Sequence, residues 1–225
     1  VAVRGRMEVP IADRDKVVQL SRKYVKEIKN PFADLLRNVG SAGFTTGSAR
    51  SGDSPVKNWG GVGTRDFANV GAIGGRNILN LQERRYFCWR CPIGCGGHMK
   101  AGTEYKYEAG THKPEYETIC AFGTLCLNDN LESIIMANDI CNRYGLDTIS
   151  VGSAIAFAIE CYEDGIITAQ DTEGVELKWG NHRAIVAMAE KIAKREGFGA
   201  LLADGVKVAA EKIGQGASKY AFHVH

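Results

Sequence analysis

Apolar positions along the chain recur at helical spacing in several separate stretches. In "DRDKVVQLSRKYVKEIK", residues 13 to 29, Val17, Leu20, Tyr24 and Ile28 share one side, with charges elsewhere. That pattern predicts an amphipathic surface helix. "NPFADLLRNVG" predicts a short second helix, with Asn30 as N-cap, Pro31 in the first turn and Gly40 as the stop. From residue 130 onward the chain reads as helical. "NLESIIMANDICNRYG" opens at an Asn130 cap and closes at Gly145. "DTISVGSAIAFAIECYEDG" follows, capped by Asp147 and stopped by Gly165; its first half is small and apolar nearly all round, which predicts burial. "NHRAIVAMAEKIAKREG" sets Ile185, Met188, Ala189 and Ile192 on one face, and "LLADGVKVAAEKIG" reads as one final amphipathic helix.

Residues 40 to 80 break the pattern. Glycine recurs among Ser, Thr and Asn, and no period survives. A solvated loop is one reading. A long loop packed on a ligand is the sharper one, since structureless stretches of this length in compact domains are functional or disordered. Trp59, Phe67 and Ile73 argue against disorder. Residues 1 to 9 read as a short strand, and "YAFHVH" ends in a strand-like apolar run. The expected fold is mainly α: a helical domain with a glycine-rich loop region and short strand-like ends. Residues 1–12 are expected to finish an upstream domain, and 13–225 to form the helical domain. Both ends read as cuts in a longer protein.

Composition narrows the classes. A chain of 225 residues can bury an ordinary core. No apolar run approaches the eighteen or more residues of a membrane-spanning helix, so no membrane partner is expected. The opening residues lack an apolar core before a small-residue cleavage site, so no secretory leader is expected there. The net charge is +2, with basic and acidic residues interleaved, so no nucleic-acid partner is expected.

Seven cysteines are present, and Cys88, Cys91 and Cys95 crowd into "YFCWRCPIGCGG". Secreted disulfide frameworks are smaller and more evenly spaced, so a reducing compartment, the cytoplasm, fits better. Cys-x2-Cys brings two sulfurs from one tight turn to one centre, and a third follows one turn on. Free structural cysteines, zinc and an iron–sulfur cluster compete here. Density argues against the first, and zinc would want a second Cys or His pair nearby. A cluster would take three local ligands and one remote. Cys120, Cys126, Cys141 and Cys161 could supply it, but the latter two sit in apolar helices, where cysteine acts as a small hydrophobe. The fourth ligand is expected beyond residue 225.

With "KPEYETICAFGTLC" at 113 to 126 and "ANDICNRYGLDTISVGSAIAFAIECYEDG" at 137 to 165, the chain closely resembles the aldehyde:ferredoxin oxidoreductase family of tungsten-pterin (sometimes molybdenum-pterin) enzymes. The likeness runs from "AVRG" to "HVH", with three motifs in the family's order. It implies a β-rich N-terminal domain followed by two helical ones, this chain being the first of those two. It implies that Cys88, Cys91 and Cys95 ligate a [4Fe–4S] cluster, with the fourth cysteine in the last domain. The family's pterin motif Asp-x-x-Gly-Leu-Asp reads here as Asn142, Gly145, Leu146 and Asp147; Asn142 replaces the first acid and carries no charge. A helix end at Gly145 and a new start at Asp147 would expose backbone groups and a carboxylate to a pterin's N–H edge. A plain helix connection capped by Asp147 is the alternative.

In "PEYET", the resemblance places Glu117 near the metal as the catalytic acid–base group, with Glu115 in reserve. A carboxylate with a pKa raised by burial could activate water and take its proton. His112 could relay protons, and Cys120 lines the same helical side as Glu117. His98 could donate to a cluster sulfur, and "SPVKNW" resembles a loop near the family's substrate channel. The implied activity is oxidation of aldehydes to carboxylic acids, with electrons passed singly to ferredoxin or another electron-transfer protein. A relative with the same cofactors, the catalytic subunit of an aromatic acyl-thioester (benzoyl-CoA type) reductase, is the nearest alternative. A non-enzymatic iron–sulfur electron-transfer module and a zinc-stapled helical domain are further ones. The family is often homodimeric.

Overall fold

The computed structural model describes residues 4–223. Eleven α-helices and one two-stranded hairpin make up its regular elements among the described residues, with short 3-10 turns between them. The mainly helical expectation holds.

The centre is built from three helices: α7 (Leu131–Tyr144), α8 (Thr148–Glu163) and α9 (His182–Lys194). The starts of α7 and α8 are those their expected caps predict, and α9 has a cap of the same kind. Asn130, Asp147 and Asn181 each accept the backbone N–H three residues on. Gly145 closes α7 in a left-handed turn. Helix α8 is wrapped on nearly every side: Ile155, Ala156, Phe157, Ala158, Ile159 and Cys161 are fully buried. Around it pack α6 (Tyr116–Phe122), α7 and α9. A Cβ on Gly152 would lie 2.6 Å from the Ala121 Cβ, so α6 and α8 cross where only glycine lets them. That crossing fixes α6, which carries the acidic candidate, against the start of α8.

Phe157 is the largest side chain of α8 with no exposure. Phe157→Ala is therefore expected to destabilise the protein by about 3–5 kcal/mol, from lost apolar burial plus an unfilled cavity. Urea unfolding followed by circular dichroism reads this directly. A loss under about 1 kcal/mol would mean that α8 is not the packed centre.

Several expectations are corrected. Residues 4–9 carry no strand; residues 1–3 lie outside the described residues. Ala217–Tyr220 form a 3-10 turn and 221–223 are irregular, so the strand-like reading of the C-terminal stretch fails there; 224–225 lie outside. The predicted final helix is two, α10 (Gly197–Leu202) and α11 (Val206–Ile213), broken around Asp204 and Gly205. The glycine-rich stretch is not a long loop. It holds a 3-10 turn Ser41–Phe44, α3 (Thr45–Ser51), α4 (Gly63–Asp66), a 3-10 segment Ala68–Ile73 and α5 (Gly75–Leu81). Ala42, Ala49, Ile73 and Ile78 anchor these turns in the core, so tertiary burial overrides poor helix propensity. Helix α1 (Arg14–Glu27) forms as expected but buries no residue, while α2 (Pro31–Asn38) buries Ala33. Among the described residues no helix is long and apolar enough to cross a membrane.

Candidate functional site

Strands β1 (Gln82–Tyr86) and β2 (Gly96–Met99) pair antiparallel, and the loop between them is the cysteine loop. Arg85 ties the loop down: its guanidinium donates to the carbonyls of Ile93 and Gly94 at 3.0 and 2.8 Å. Within the loop, the Cys91 N–H donates to the Cys88 carbonyl at 3.0 Å, and the Ile93 N–H points at the Cys91 sulfur at 3.4 Å. The amides of Gly94 and Ile93 hold the Cys91 pKa below the ordinary thiol value. Burial, then the nearby Glu115 carboxylate, pushes Cys95 up. All seven cysteines are free. Among the described residues no three His, Cys, Asp or Glu side chains meet closely enough to hold a single ion.

The loop's chemistry nonetheless fits a sulfur-ligated cluster. Three soft donors share one hairpin loop, and a backbone N–H already points at one sulfur, the interaction that thiolate ligands receive. Behind the loop lies a buried lysine, Lys113, 5% exposed. Cys120, Cys126, Cys141 and Cys161 are buried instead, and burial pushes Cys141 and Cys161 up to about 12. In metal-free protein at neutral pH, alkylation is therefore expected to reach Cys91 first and those four last. Mass spectrometry of timed iodoacetamide samples checks the order. Early labelling of Cys126 would contradict it.

The segment after β2 runs back along its edge. Met99 N–H donates to Thr111, Lys113 N–H to Gly97, and His98 bridges to His112. This pairing gathers three rings: Tyr86 lies 5.0 Å from His98 and 5.2 Å from His112, centre to centre. His98 Nδ1–H donates to the Gly110 carbonyl at 2.8 Å. His112 is exposed and lines a cavity of about 540 Å³ with Asn142, Asp139, Arg143, Glu108 and Thr111. Asp139 there accepts from Arg143 at 2.6 Å and from Thr111 at 3.0 Å. Two predicted residues, His112 and Asn142, thus meet in one cavity.

The two acids differ. Glu115 is half-buried and accepts a short hydrogen bond from the Ser41 hydroxyl, which in turn accepts the Tyr116 N–H at 2.9 Å. Glu117, in the first turn of α6, is exposed, contrary to the buried carboxylate anticipated, and has no hydrogen-bond partner among the described residues. One turn on, Cys120 is buried beside Ser54. Thr118 and Thr148 share a 2.8 Å hydrogen bond, linking the acidic stretch to the Asn142–Asp147 turn. In that turn Asn142, Gly145 and Asp147 are exposed and Leu146 is partly buried. Asp147 caps α8, one oxygen taking both the N–H and hydroxyl of Ser150. Its other oxygen has no partner among the described residues.

Lys57, Asn58 and Trp59 of "SPVKNW" all adopt left-handed backbone. Buried Asn58 holds them by donating to Glu160 and to the Tyr220 carbonyl. Trp59 is left exposed beside a cavity of about 610 Å³ with Ile149 and Phe222. Sequence reasoning missed Ser41, Lys113 and Asp139. For Asp139 the available signal was its spacing to Asn142 and Arg143, which places all three on one helix side.

Comparison with known proteins places the chain in a family. The sequence profile described as aldehyde ferredoxin oxidoreductase, domains 2 and 3, matches residues 19–225. The chain belongs to the aldehyde ferredoxin oxidoreductase family. It is 39% identical, over 95% of its length, to the tungsten-containing aldehyde ferredoxin oxidoreductase of Pyrococcus furiosus. The protein of the same name from Thermococcus kodakarensis is 36% identical over the same share. An aliphatic sulfonate oxidoreductase, WOR-like subunit, of Pyrococcus furiosus is 30% identical over all of the chain. The chain spans about a third of these relatives' length, 35% of the first. In fold it is similar to the BamBC active-site complex of benzoyl coenzyme A reductase, solved with 1,5-dienoyl-CoA. There the TM-score is 0.72 at 23% identity, over 97% of this chain and 34% of that one.

Proposed function

We propose that the full-length protein is a tungsten- or molybdenum-pterin oxidoreductase with a [4Fe–4S] cluster, oxidising aldehydes to carboxylic acids with ferredoxin as acceptor. The observation that carries the proposal is the family match over residues 19–225 together with the juxtaposition of its motifs. The cysteine hairpin, the acidic stretch and the Asn142–Asp147 turn are joined by the edge pairing of 110–113 and by the Thr118–Thr148 contact.

In this reading Cys88, Cys91 and Cys95 supply three cluster ligands, and a cysteine outside this chain supplies the fourth. Asn142 and the unpartnered oxygen of Asp147 accept N–H groups of the bound pterin, with Gly145 and Leu146 shaping the turn. When bound, the metal-pterin would supply two-electron oxidation of the substrate and the cluster would supply one-electron transfer to the acceptor. An aldehyde plus water becomes an acid, two electrons and two protons. Glu117 takes a proton from the attacking water, its carboxylate being unengaged, and His112 passes protons outward. Glu115, held by Ser41, orients the stretch. The free cysteines suit the reducing cytoplasm. A homodimer is the assembly we expect.

Asn142 in place of the family's acid favours a second reading, reduction of an activated acyl thioester with the same cofactors. The test is a substrate screen of the full-length protein, purified without oxygen. Aldehyde-dependent reduction of ferredoxin or a viologen dye is expected. Turnover of acyl thioesters alone would overturn the aldehyde assignment and leave the second reading.

A further inference from the structure

Lys113 is the one lysine buried among the described residues. Its ammonium donates to the Val39 carbonyl at 2.7 Å, at the C-terminal end of α2, and it forms no ion pair among the described residues. A buried cation is costly unless negative charge faces it. Burial pulls the Lys113 pKa down, and the charges that oppose this are the Glu115 carboxylate first and Cys95 next. The geometry sets the cysteine loop beside the same ammonium. A Cβ on Gly40 would lie 2.7 Å from the Lys113 Nζ and 2.8 Å from the Cys95 carbonyl oxygen, so the ammonium and the cysteine loop converge on one point. Gly40, at φ +87°, is the residue that leaves that point open. The Lys113 backbone is pinned to the same loop through Gly97.

We propose that Lys113 is a positioning residue for the cluster: its fixed charge faces the thiolate-ligated cluster at Cys95 and raises that cluster's reduction potential. The inference rests on the proposed role of Cys95. Thiolate ligands outweigh the cationic core, so the cluster is anionic, and one-electron reduction makes it more so. A nearby cation stabilises the reduced form more than the oxidised form. No bond is made or broken; the cluster gains one electron and the reductant loses it.

The experiment is a dithionite redox titration, followed by electron paramagnetic resonance, of anaerobic full-length protein. Lys113→Gln is expected to lower the potential by the equivalent of roughly tenfold in the reduced-to-oxidised ratio, about 59 mV for a one-electron couple. Lys113→Arg, which keeps the charge, and exposed Lys106→Gln are expected to stay near wild type. If Lys113→Gln loses its iron while Lys113→Arg keeps it, a requirement for charge stands. An unchanged potential in Lys113→Gln, or iron lost from both, overturns the inference while leaving the cluster in place. Wild-type protein without a cluster overturns the proposed function itself, a distinct result.

Discussion

Cys91→Ser in the full-length protein is expected to remove the iron–sulfur cluster, dropping iron from about four per chain toward none. Oxygen is a harder donor than sulfur, and a serine hydroxyl stays protonated where a thiol becomes thiolate. The Cys91 sulfur also receives backbone N–H donors that a rebuilt loop would have to re-aim. The fold should survive the exchange. Cys91 is partly exposed on a hairpin loop, and that loop is held independently by Arg85. Iron assay and the reduced-state resonance spectrum read the loss, and thermal unfolding reads the retained fold. The opposite pattern is expected for Cys126→Ser. That residue is fully buried in the core, so iron stays and stability falls by about 1–3 kcal/mol, since a polar hydroxyl replaces a buried thiol. Full iron content in Cys91→Ser would remove this residue from the ligand set.

Glu117→Gln is expected to cut turnover about 10²- to 10⁴-fold with metal content unchanged, the range for loss of a general base. The amide keeps the shape and removes the proton acceptor. The companion Glu115→Gln separates the two acids. Glu115 is already engaged by Ser41, so its neutralisation loosens the stretch and its effect should be smaller. The measurement is kcat and KM for an aldehyde that both variants accept. Unchanged turnover in Glu117→Gln, with a large loss in Glu115→Gln, would exchange the two roles.

The parts of this chain legible in its sequence are those set by local rules. Helices α7, α8 and α9 combine a capping Asn or Asp with apolar residues at helical spacing, and they begin where those caps stand. The Cys-x2-Cys-x3-Cys spacing is likewise a local signal. The β1–β2 hairpin was not legible. "QERRY" is charged and mostly exposed, and its partner "GGHM" is half glycine, so neither alternates. The glycine-rich stretch misled because glycine weakens helices on average, while here buried Ala42, Ala49 and Ile78 hold short turns against the core. Lys113 was invisible for a further reason. Its burial depends on Gly40 and Val39, far upstream in the chain, and no periodicity in "THKPE" encodes that approach.

The most direct test is metal analysis of the full-length protein purified without oxygen, counting iron, tungsten, molybdenum and zinc per chain. About four irons with one tungsten or molybdenum is the result predicted by the proposed function. Zinc alone, without iron, would contradict the assignment of Cys88, Cys91 and Cys95, and with it the oxidoreductase reading of this chain.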